Sequence, residues 1–154
     1  HHRGGTGRWP YEESIRIPFI VRAPGFVENP GRRADPMILN IDLAPSLLEM
    51  AGLPDPDSME GRSFVPVLKS GSIPGRRAWL YEYQADFPFR VPSNHAVRTK
   101  EHIYIEFEGR RGPELYDLKE DPRQRVNLIH TDEGRKIARG LKDMLEDLKD
   151  GRKP

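Results

Sequence analysis

Residues 11–25 read YEESIRIPFIVRAPG, and this stretch indicates the fold class. A short polar turn leads into a mostly apolar run over residues 15–21, which a Pro-Gly pair closes, and this pattern predicts a strand. A strand this apolar needs cover on both faces, as in a parallel α/β sheet, although Pro18 removes one backbone donor from its ladder. Only ten residues precede Tyr11, too few to supply neighbouring strands and helices. We therefore expect the chain to be the C-terminal piece of a larger protein.

The composition argues against several classes of function. The 154 residues carry a formal net charge of +1, so no global basic field would steer nucleic acid to the chain. No apolar run reaches the length of about 18 residues that a membrane span needs, and we expect no membrane partner. The absence of cysteine excludes disulfides and a thiol nucleophile within this chain.

Residues 37–53 predict a short strand or turn followed by a helix. Asp42 is the expected N-cap, with its carboxylate receiving amide protons at the helix start. Pro45 suits the first turn, and Gly52 suits the stop position after the last one. The apolar stripe of this helix would consist of Leu43, Leu47, Leu48, Met50 and Ala51. A second, shorter apolar patch follows over residues 64–68.

From residue 78 onward the pattern changes to short strands with short connections. Four strands are predicted, at residues 79–83, 95–98, 103–107 and 114–117, and they suggest a small antiparallel sheet. A helix follows from about residue 131 to 150 and ends at Gly151. Its apolar face is expected to cover one side of the sheet. Gly134 and Gly140 each weaken it by up to ~1 kcal/mol relative to alanine.

Several phrases, taken in order and spacing, resemble the C-terminal third of a sulfatase of the alkaline-phosphatase-like superfamily. The phrases are residues 11–18 (YEESIRIP), 41–48 (IDLAPSLL), 59–63 (MEGRS), 81–83 (YEY), 96–99 (AVRT) and 114–118 (ELYDL), with Asp121-Pro122 and Asn127-Leu128 after them. Within that family the sequence of these segments is most similar to that of arylsulfatases and N-acetylglucosamine-6-sulfatase-like enzymes. The implied fold class is an incomplete α/β domain in residues 1–75, followed in residues 76–154 by an α+β subdomain with a four-stranded antiparallel sheet packed by the C-terminal helix.

The resemblance implies hydrolysis of sulfate esters, on aryl or carbohydrate substrates. Such enzymes use a formylglycine nucleophile and a divalent cation, usually calcium, held by acidic side chains. Both the nucleophile motif and the metal ligands are expected N-terminal to anything in this chain. We therefore expect no catalytic residue and no metal ligand here, an inactive fragment on its own, and two partners: a sulfated ester or sugar and the missing N-terminal part of the same protein.

Three residues are candidates for substrate binding: His2, Arg8 and His95. The family often places a His and a sulfate-gripping Lys before the YEES phrase, and counting back puts His2 on the His but Gly7 on the Lys. Arg8 stands beside Gly7 and could reach a sulfate by bidentate contact. His95 follows a long Pro-containing loop that in the family approaches the substrate. The alternatives are a purification-tag remnant for His2, a solvated cation for Arg8 and a hydrogen-bonded surface residue for His95.

Two other functions compete with the sulfatase interpretation. A phosphatase or phosphodiesterase of the same superfamily would use Ser or Thr with two metals, but usually lacks the ELYDL phrase. A free-standing binding module would have to expose the apolar edge of the strand predicted at residues 15–21, which argues against it. Aromatic residues on the predicted strands could form a sugar-stacking platform, but at strand period they more often form sheet core.

Overall fold

A four-stranded antiparallel meander organises the C-terminal half of the chain. In the computed structural model, which describes residues 8–70 and 76–151, the strands are β1 (Ala78–Tyr83), β2 (Asn94–Thr99), β3 (His102–Phe107) and β4 (Glu114–Asp117), in the order β1-β2-β3-β4. Leu80, Val97, Tyr104 and Leu115 lie opposite one another across the four strands. The predicted antiparallel sheet is confirmed, with strand ends within two residues of the prediction.

Helix α4 (Asp132–Lys149) covers one face of this sheet. Its buried residues Ala138, Leu141 and Leu145 pack with Val97 and Tyr104 in one apolar cluster. The helix begins at Thr131, whose Oγ1 accepts a hydrogen bond from the Gly134 amide at 2.9 Å. It ends before Gly151, which has a φ of 75°. The predicted helix and its position on the sheet are confirmed.

The opposite face of the sheet is covered by residues from the start of the described chain. A one-turn helix, α1 (Glu12–Ile15), follows Tyr11, whose ring packs in a second cluster with Ile103, Ile105 and Tyr116. The predicted strand at residues 15–21 is wrong. The amides of Ser14 and Ile15 donate to the Tyr11 carbonyl at 2.7 and 3.0 Å and form a helical turn instead.

The segment after α1 has no regular structure. Within the described residues no neighbouring strand pairs with residues 16–23. Two of its apolar side chains are largely in solvent, since Ile17 is 70% and Ile20 is 91% exposed. A strand needs a partner for its amides and carbonyls, and the absence of one among these residues explains why the apolar run does not form a ladder.

Residues 19–70 and Arg76 form a separate compact unit. A 3₁₀ turn (Asn40–Asp42) leads into α2 (Leu43–Met50), and α3 (Val65–Ser70) follows. Buried side chains of the unit are Phe64, Val67 and Leu68, packed with Val21, Val27, Ile38 and Met50. The α2 helix and its stop at Gly52, with a φ of 69°, agree with prediction. Its predicted apolar stripe is only partly buried, because the helix buries Pro45 and Ser46 while Leu43 and Leu47 stay exposed.

The other unit consists of residues 8–18 and 77–151. The change of unit after Arg76 lies one residue from the predicted boundary at 75/76. In the structure residues 8–18 belong to the unit that contains the sheet, whereas the prediction grouped them with the residues up to 75. The assignment of residues 1–75 to a larger α/β domain stays a prediction.

Across the described ranges, none of the helices has both the length and the apolar character needed to traverse a lipid bilayer.

Candidate functional site

Arg8 lies against the loop that connects β1 and β2. Its Nε donates to Oδ1 of Asp86 at 3.3 Å, and its guanidinium carbon lies 3.3 Å from the centroid of the Phe89 ring. The Tyr83 hydroxyl donates to the same Asp86 oxygen. That hydrogen bond, together with the one from Arg8 and the charge of Arg8, outweighs partial desolvation and holds the pKa of Asp86 below its usual range. Asp86 therefore stays anionic and fixes the Nε edge of the guanidinium.

The two terminal nitrogens of the Arg8 guanidinium take no part in the contact with Asp86. Among the hydrogen bonds within the described residues, none uses its Nη1 or Nη2. These are the two nitrogens that form a bidentate contact with a carboxylate, sulfate or phosphate. The surrounding loop adds Phe87, which is 98% exposed, and the exposed cation Arg90. Cations beside exposed aromatic rings form a surface suited to an anionic sugar.

A buried carboxylate anchors the segment that carries Arg8. Glu114, which is 8% exposed, accepts hydrogen bonds from the hydroxyls of Tyr11 at 2.8 Å and Tyr116 at 3.0 Å. Arg111 donates to Glu114 at 2.6 Å and to the Tyr11 hydroxyl at 2.9 Å. The Arg111 guanidinium carbon also lies 4.9 Å from the ring centroid of Trp9. These contacts hold residues 9–11 against the sheet and so fix the backbone from which Arg8 extends.

Glu12 provides a second anchor. Its two carboxylate oxygens accept from Nε and Nη2 of Arg98 on β2 at 3.1 and 3.2 Å. Its amide donates to Oε1 of Gln124 at 2.7 Å. Phrases far apart in the sequence, YEES, AVRT and ELYDL, therefore meet at one place. Glu12 and Arg98 pair with each other and Glu114 accepts from Tyr11, so these residues have a structural role in this unit.

The two tyrosines of this cluster act as hydrogen-bond donors. Burial, followed by the charge of Glu114 and the hydrogen bond to it, raises the pKa of both Tyr11 and Tyr116 far above the ordinary tyrosine value. Both hydroxyls therefore stay protonated at neutral pH, as donation to a carboxylate requires. Neither is suited to act as a general base.

His95 lies on the other face of the sheet from this cluster. It shares the α4 side of β2 with Val97, and its Nε2 is 3.5 Å from Oε1 of Glu82. The Nε2 of His95 therefore already has a carboxylate neighbour, and the strand separates His95 from Arg8. A substrate-binding role for His95 stays a prediction. His2 and Gly7 lie outside the described residues.

Sequence reasoning did not identify Arg111, Glu114 or Asp86 as partners in this site. Arg111 and Glu114 are three positions apart around a turn, a spacing compatible with an ion pair. The contact of Glu114 with Tyr11 spans 103 positions and that of Arg8 with Asp86 spans 78. No local sequence signal encodes pairs of this separation.

The described residues do not provide a fit for the calcium ion that the family resemblance implies. In residues 8–70 and 76–151, no three Asp, Glu, His or Cys side chains are grouped as cation ligands. The buried or half-buried carboxylates Glu12, Asp42 and Glu114 are instead paired with Arg98, Arg76 and Arg111. No chemical step is therefore assigned to a metal held by these residues.

Comparison with known proteins places this geometry among sulfatases. The chain is 31% identical over 145 residues to an N-acetylglucosamine-6-O-sulfatase of Bacteroides thetaiotaomicron, an alignment that covers 91% of this chain and 26% of that protein. It is 30% identical to an arylsulfatase of Clostridium perfringens, covering 93% of this chain and 29% of the relative. A protein solved in complex with its substrate D-glucosamine-2-N,6-O-disulfate superposes with a TM-score of 0.85 at 31% identity, covering 95% of this chain and 30% of that one.

These matches define a C-terminal sulfatase domain on an alkaline-phosphatase-like fold. The chain belongs to the family described as N-sulphoglucosamine sulphohydrolase, C-terminal, whose family model matches residues 2–151. It spans between a quarter and a third of the length of the relatives described above, at 26%, 29% and 30%.

Proposed function

We propose that the protein containing this domain hydrolyses sulfate esters of sugars, and that this chain supplies a substrate-binding surface centred on Arg8. Family membership supports the reaction class. The sugar class is supported by similarity to a protein named an N-acetylglucosamine-6-O-sulfatase and to a structure solved with a disulfated glucosamine. The observation that carries the proposal is the Arg8 guanidinium, held by Asp86 and Phe89 with its two terminal nitrogens available.

The chemistry at the sulfur atom would come from groups that the described residues do not provide. A formylglycine and a calcium ion would supply the nucleophile and the neutralisation of sulfate charge in such an enzyme. The contribution of this chain would be to hold an anionic group of the sugar through Arg8 and to bring aromatic side chains against the ring. Orientation of this kind lowers the entropic cost of the reaction.

Turnover by the isolated chain tests whether the catalytic groups lie outside it. The purified 154-residue chain is expected to hydrolyse no aryl sulfate, with or without added calcium. Clear turnover that scales with chain concentration would refute the proposal that the catalytic groups lie elsewhere in the protein.

Binding measurements test the role of Arg8. We expect the chain to bind D-glucosamine-2-N,6-O-disulfate, and Arg8→Gln to weaken that binding by roughly tenfold through loss of a charge-assisted bidentate contact. Arg8→Lys should recover only part of the affinity, because an ammonium lacks the planar fork. Arg123→Gln, which removes an exposed cation of the same unit, is the matched control. Equal affinity of the Arg8→Gln and Arg123→Gln chains would show that Arg8 does not bind the sugar.

A further variant addresses the position where the family often has lysine. Gly7→Lys introduced into the Arg8→Gln chain should restore binding if Arg8 replaces that lysine. If binding is not restored, Arg8 makes a contact with the sugar that a lysine at position 7 cannot replace.

A further inference from the structure

A cavity of about 620 Å³ that is largely open to solvent lies on the α4 side of the sheet. Tyr104 of β3, Ile129 and Ala138 form its apolar part. Its charged lining consists of one acid, Asp132, and four cations of α4: Arg135, Lys136, Arg139 and Lys142. A volume of this size is typical of small-ligand sites, and the predominance of cations indicates an anionic occupant.

The cations are concentrated on one stretch of the helix. Between residues 134 and 142 the helix carries these four cations and no acid. A period of 3.6 residues brings 135, 139 and 142 to the same side of α4. Cations at i and i+4, such as Arg135 and Arg139, repel one another on a helix surface. A bound anion would remove this repulsion.

Two of the four cations already have acidic neighbours. Arg135 pairs with Asp132, and the Lys142 Nζ is 3.7 Å from Oε1 of Glu106. Among the ion pairs in the part of the chain that the structure describes, none includes Lys136 or Arg139. The Nε of Arg139 donates only to the Arg135 carbonyl, at 3.4 Å. Lys136 and Arg139 are therefore the side chains with charge available to a ligand.

The cavity is separate from the surface around Arg8. Val97 and Tyr104 face α4, whereas Ala96 and Tyr81 belong to the cluster on the opposite face of the sheet. A sugar unit held by Arg8 could not also contact Arg139, because the sheet lies between them. A ligand in the cation-lined cavity would therefore be distinct from one held by Arg8.

We propose that this cavity is a second binding site for a sulfated saccharide, in which Lys136 and Arg139 contact the sulfate groups. The choice of a sulfated sugar over other anions rests on the proposed function. The new element is a second site, which would retain longer sulfated chains. The planar fork of Arg139 matches a sulfate in a bidentate contact, and Lys136 adds a point charge beside it. The half-buried Ile129 offers apolar surface for the sugar ring.

The test uses a fluorescently labelled, heparin-derived tetrasaccharide and measures anisotropy against the 154-residue chain. Lys136→Gln/Arg139→Gln should weaken binding by roughly tenfold. Lys149→Gln, at the far end of the same helix and outside the cavity lining, should change it by less than about twofold. Both replaced side chains are exposed and have acidic as well as basic neighbours on the helix, so urea unfolding should find the double variant about as stable as the unmodified chain.

Two results would overturn the proposal. One is equal affinity of the double variant and the Lys149→Gln chain for the tetrasaccharide. The other is equally tight binding of a single-stranded DNA oligomer of matched charge, which would make the cavity a general polyanion surface. The proposed function would be contradicted by a different result: Arg8→Gln would bind the disulfated glucosamine as tightly as the unmodified chain does. The double variant should leave that binding unaltered.

Discussion

Asp42 joins three segments of the unit formed by residues 19–70 and Arg76. The carboxylate, in a residue that is 2% exposed, accepts from the amides of Leu39 and Arg62, both at 2.8 Å. It also accepts from both terminal nitrogens of Arg76, at 2.7 and 2.9 Å. Burial alone would raise the pKa of Asp42, but these hydrogen bonds and the charge of Arg76 lower it below its usual range. This carboxylate stabilises the entry to α2, although not by capping the helix amides as its sequence position suggests.

Replacing Asp42 by Asn should strongly destabilise that unit. The change leaves the Arg76 side chain, which is 9% exposed, without a counter-charge, and breaking a buried pair in this way costs about 3–5 kcal/mol. Asp55→Asn, at an exposed position without regular structure, should cost less than about 0.5 kcal/mol. Hydrogen exchange measured on peptides from residues 39–68 reports the difference. Unchanged protection in Asp42→Asn would show that the pair contributes little.

The buried tyrosines predict a loss of stability at alkaline pH. Burial raises the pKa of three tyrosine hydroxyls, Tyr11, Tyr104 and Tyr116, above the ordinary value of 10.0. A neighbouring carboxylate raises it further, Glu114 in the case of Tyr11 and Tyr116 and Glu106 in the case of Tyr104. Above about pH 10 the unfolded chain releases these protons while the folded chain retains them, so stability falls with rising pH. Each tyrosine contributes about 1.4 kcal/mol per pH unit to that fall until it titrates in the folded state.

Urea unfolding between about pH 9 and pH 11 measures this slope. The matched variant is Tyr104→Phe, which removes one titrating group and should give a shallower decline. Tyrosinate absorbance should rise together with unfolding rather than before it. A rise in absorbance that is complete while the chain is still folded would contradict the raised pKa values.

The two glycines inside α4 are expected to respond to alanine in opposite directions. An added Cβ at Gly134 would lie 1.9 Å from the Leu128 carbonyl oxygen, a backbone clash that requires the helix start to move. At Gly140 an added Cβ meets nothing within 4 Å. Gly140→Ala should therefore stabilise the helix by about 0.5–1 kcal/mol through backbone propensity. Gly134→Ala should destabilise it by more than about 1 kcal/mol despite the same gain.

Thermal unfolding followed by circular dichroism distinguishes these outcomes, and Thr131→Ala provides a calibration. Loss of that N-cap should cost about 1 kcal/mol. If Gly134→Ala were as stable as Gly140→Ala, the close approach of Leu128 to the helix start would not limit this position.

The elements of the sheet unit could be predicted from the sequence because the apolar side of each packs within that unit. β1 to β4 and α4 follow from periods of two and 3.6 residues because each faces a partner in the same unit. Residues 15–21 fail as a strand because no neighbouring strand pairs with them among the described residues. Asp42 was placed correctly at the helix start, but its partner Arg76 is 34 positions away. Arg8 was proposed as a substrate-binding residue from the family resemblance, and that role stays a prediction. Its contact with Asp86 could not be predicted, because it depends on the path of a loop.

At the scale of the whole molecule, the main feature without an explanation inside the chain is its exposed apolar surface. In the unit of residues 19–70 and Arg76, Ile20, Leu47 and Leu53 are 91%, 60% and 56% exposed, and Phe19, Ile41 and Leu43 are also exposed. Larger apolar patches on soluble proteins mark interaction sites or promote aggregation. The relatives are three to four times as long as the aligned part, with alignments covering 26%, 29% and 30% of them.

We expect the isolated 154-residue chain to self-associate through this surface, because removing apolar area from water contributes about 25 cal/mol per Å². Ile20→Asp/Leu47→Asp should shift sedimentation velocity boundaries toward the monomer, since both side chains are mostly in solvent and a charge there opposes contact between copies. Phe87→Asp is the matched control, a 98% exposed apolar residue in the other unit, and should leave association unchanged. A single monomer boundary for the unmodified chain at all concentrations would contradict the expectation. Equal effects of Phe87→Asp and the double variant would instead show that association does not depend on this particular surface.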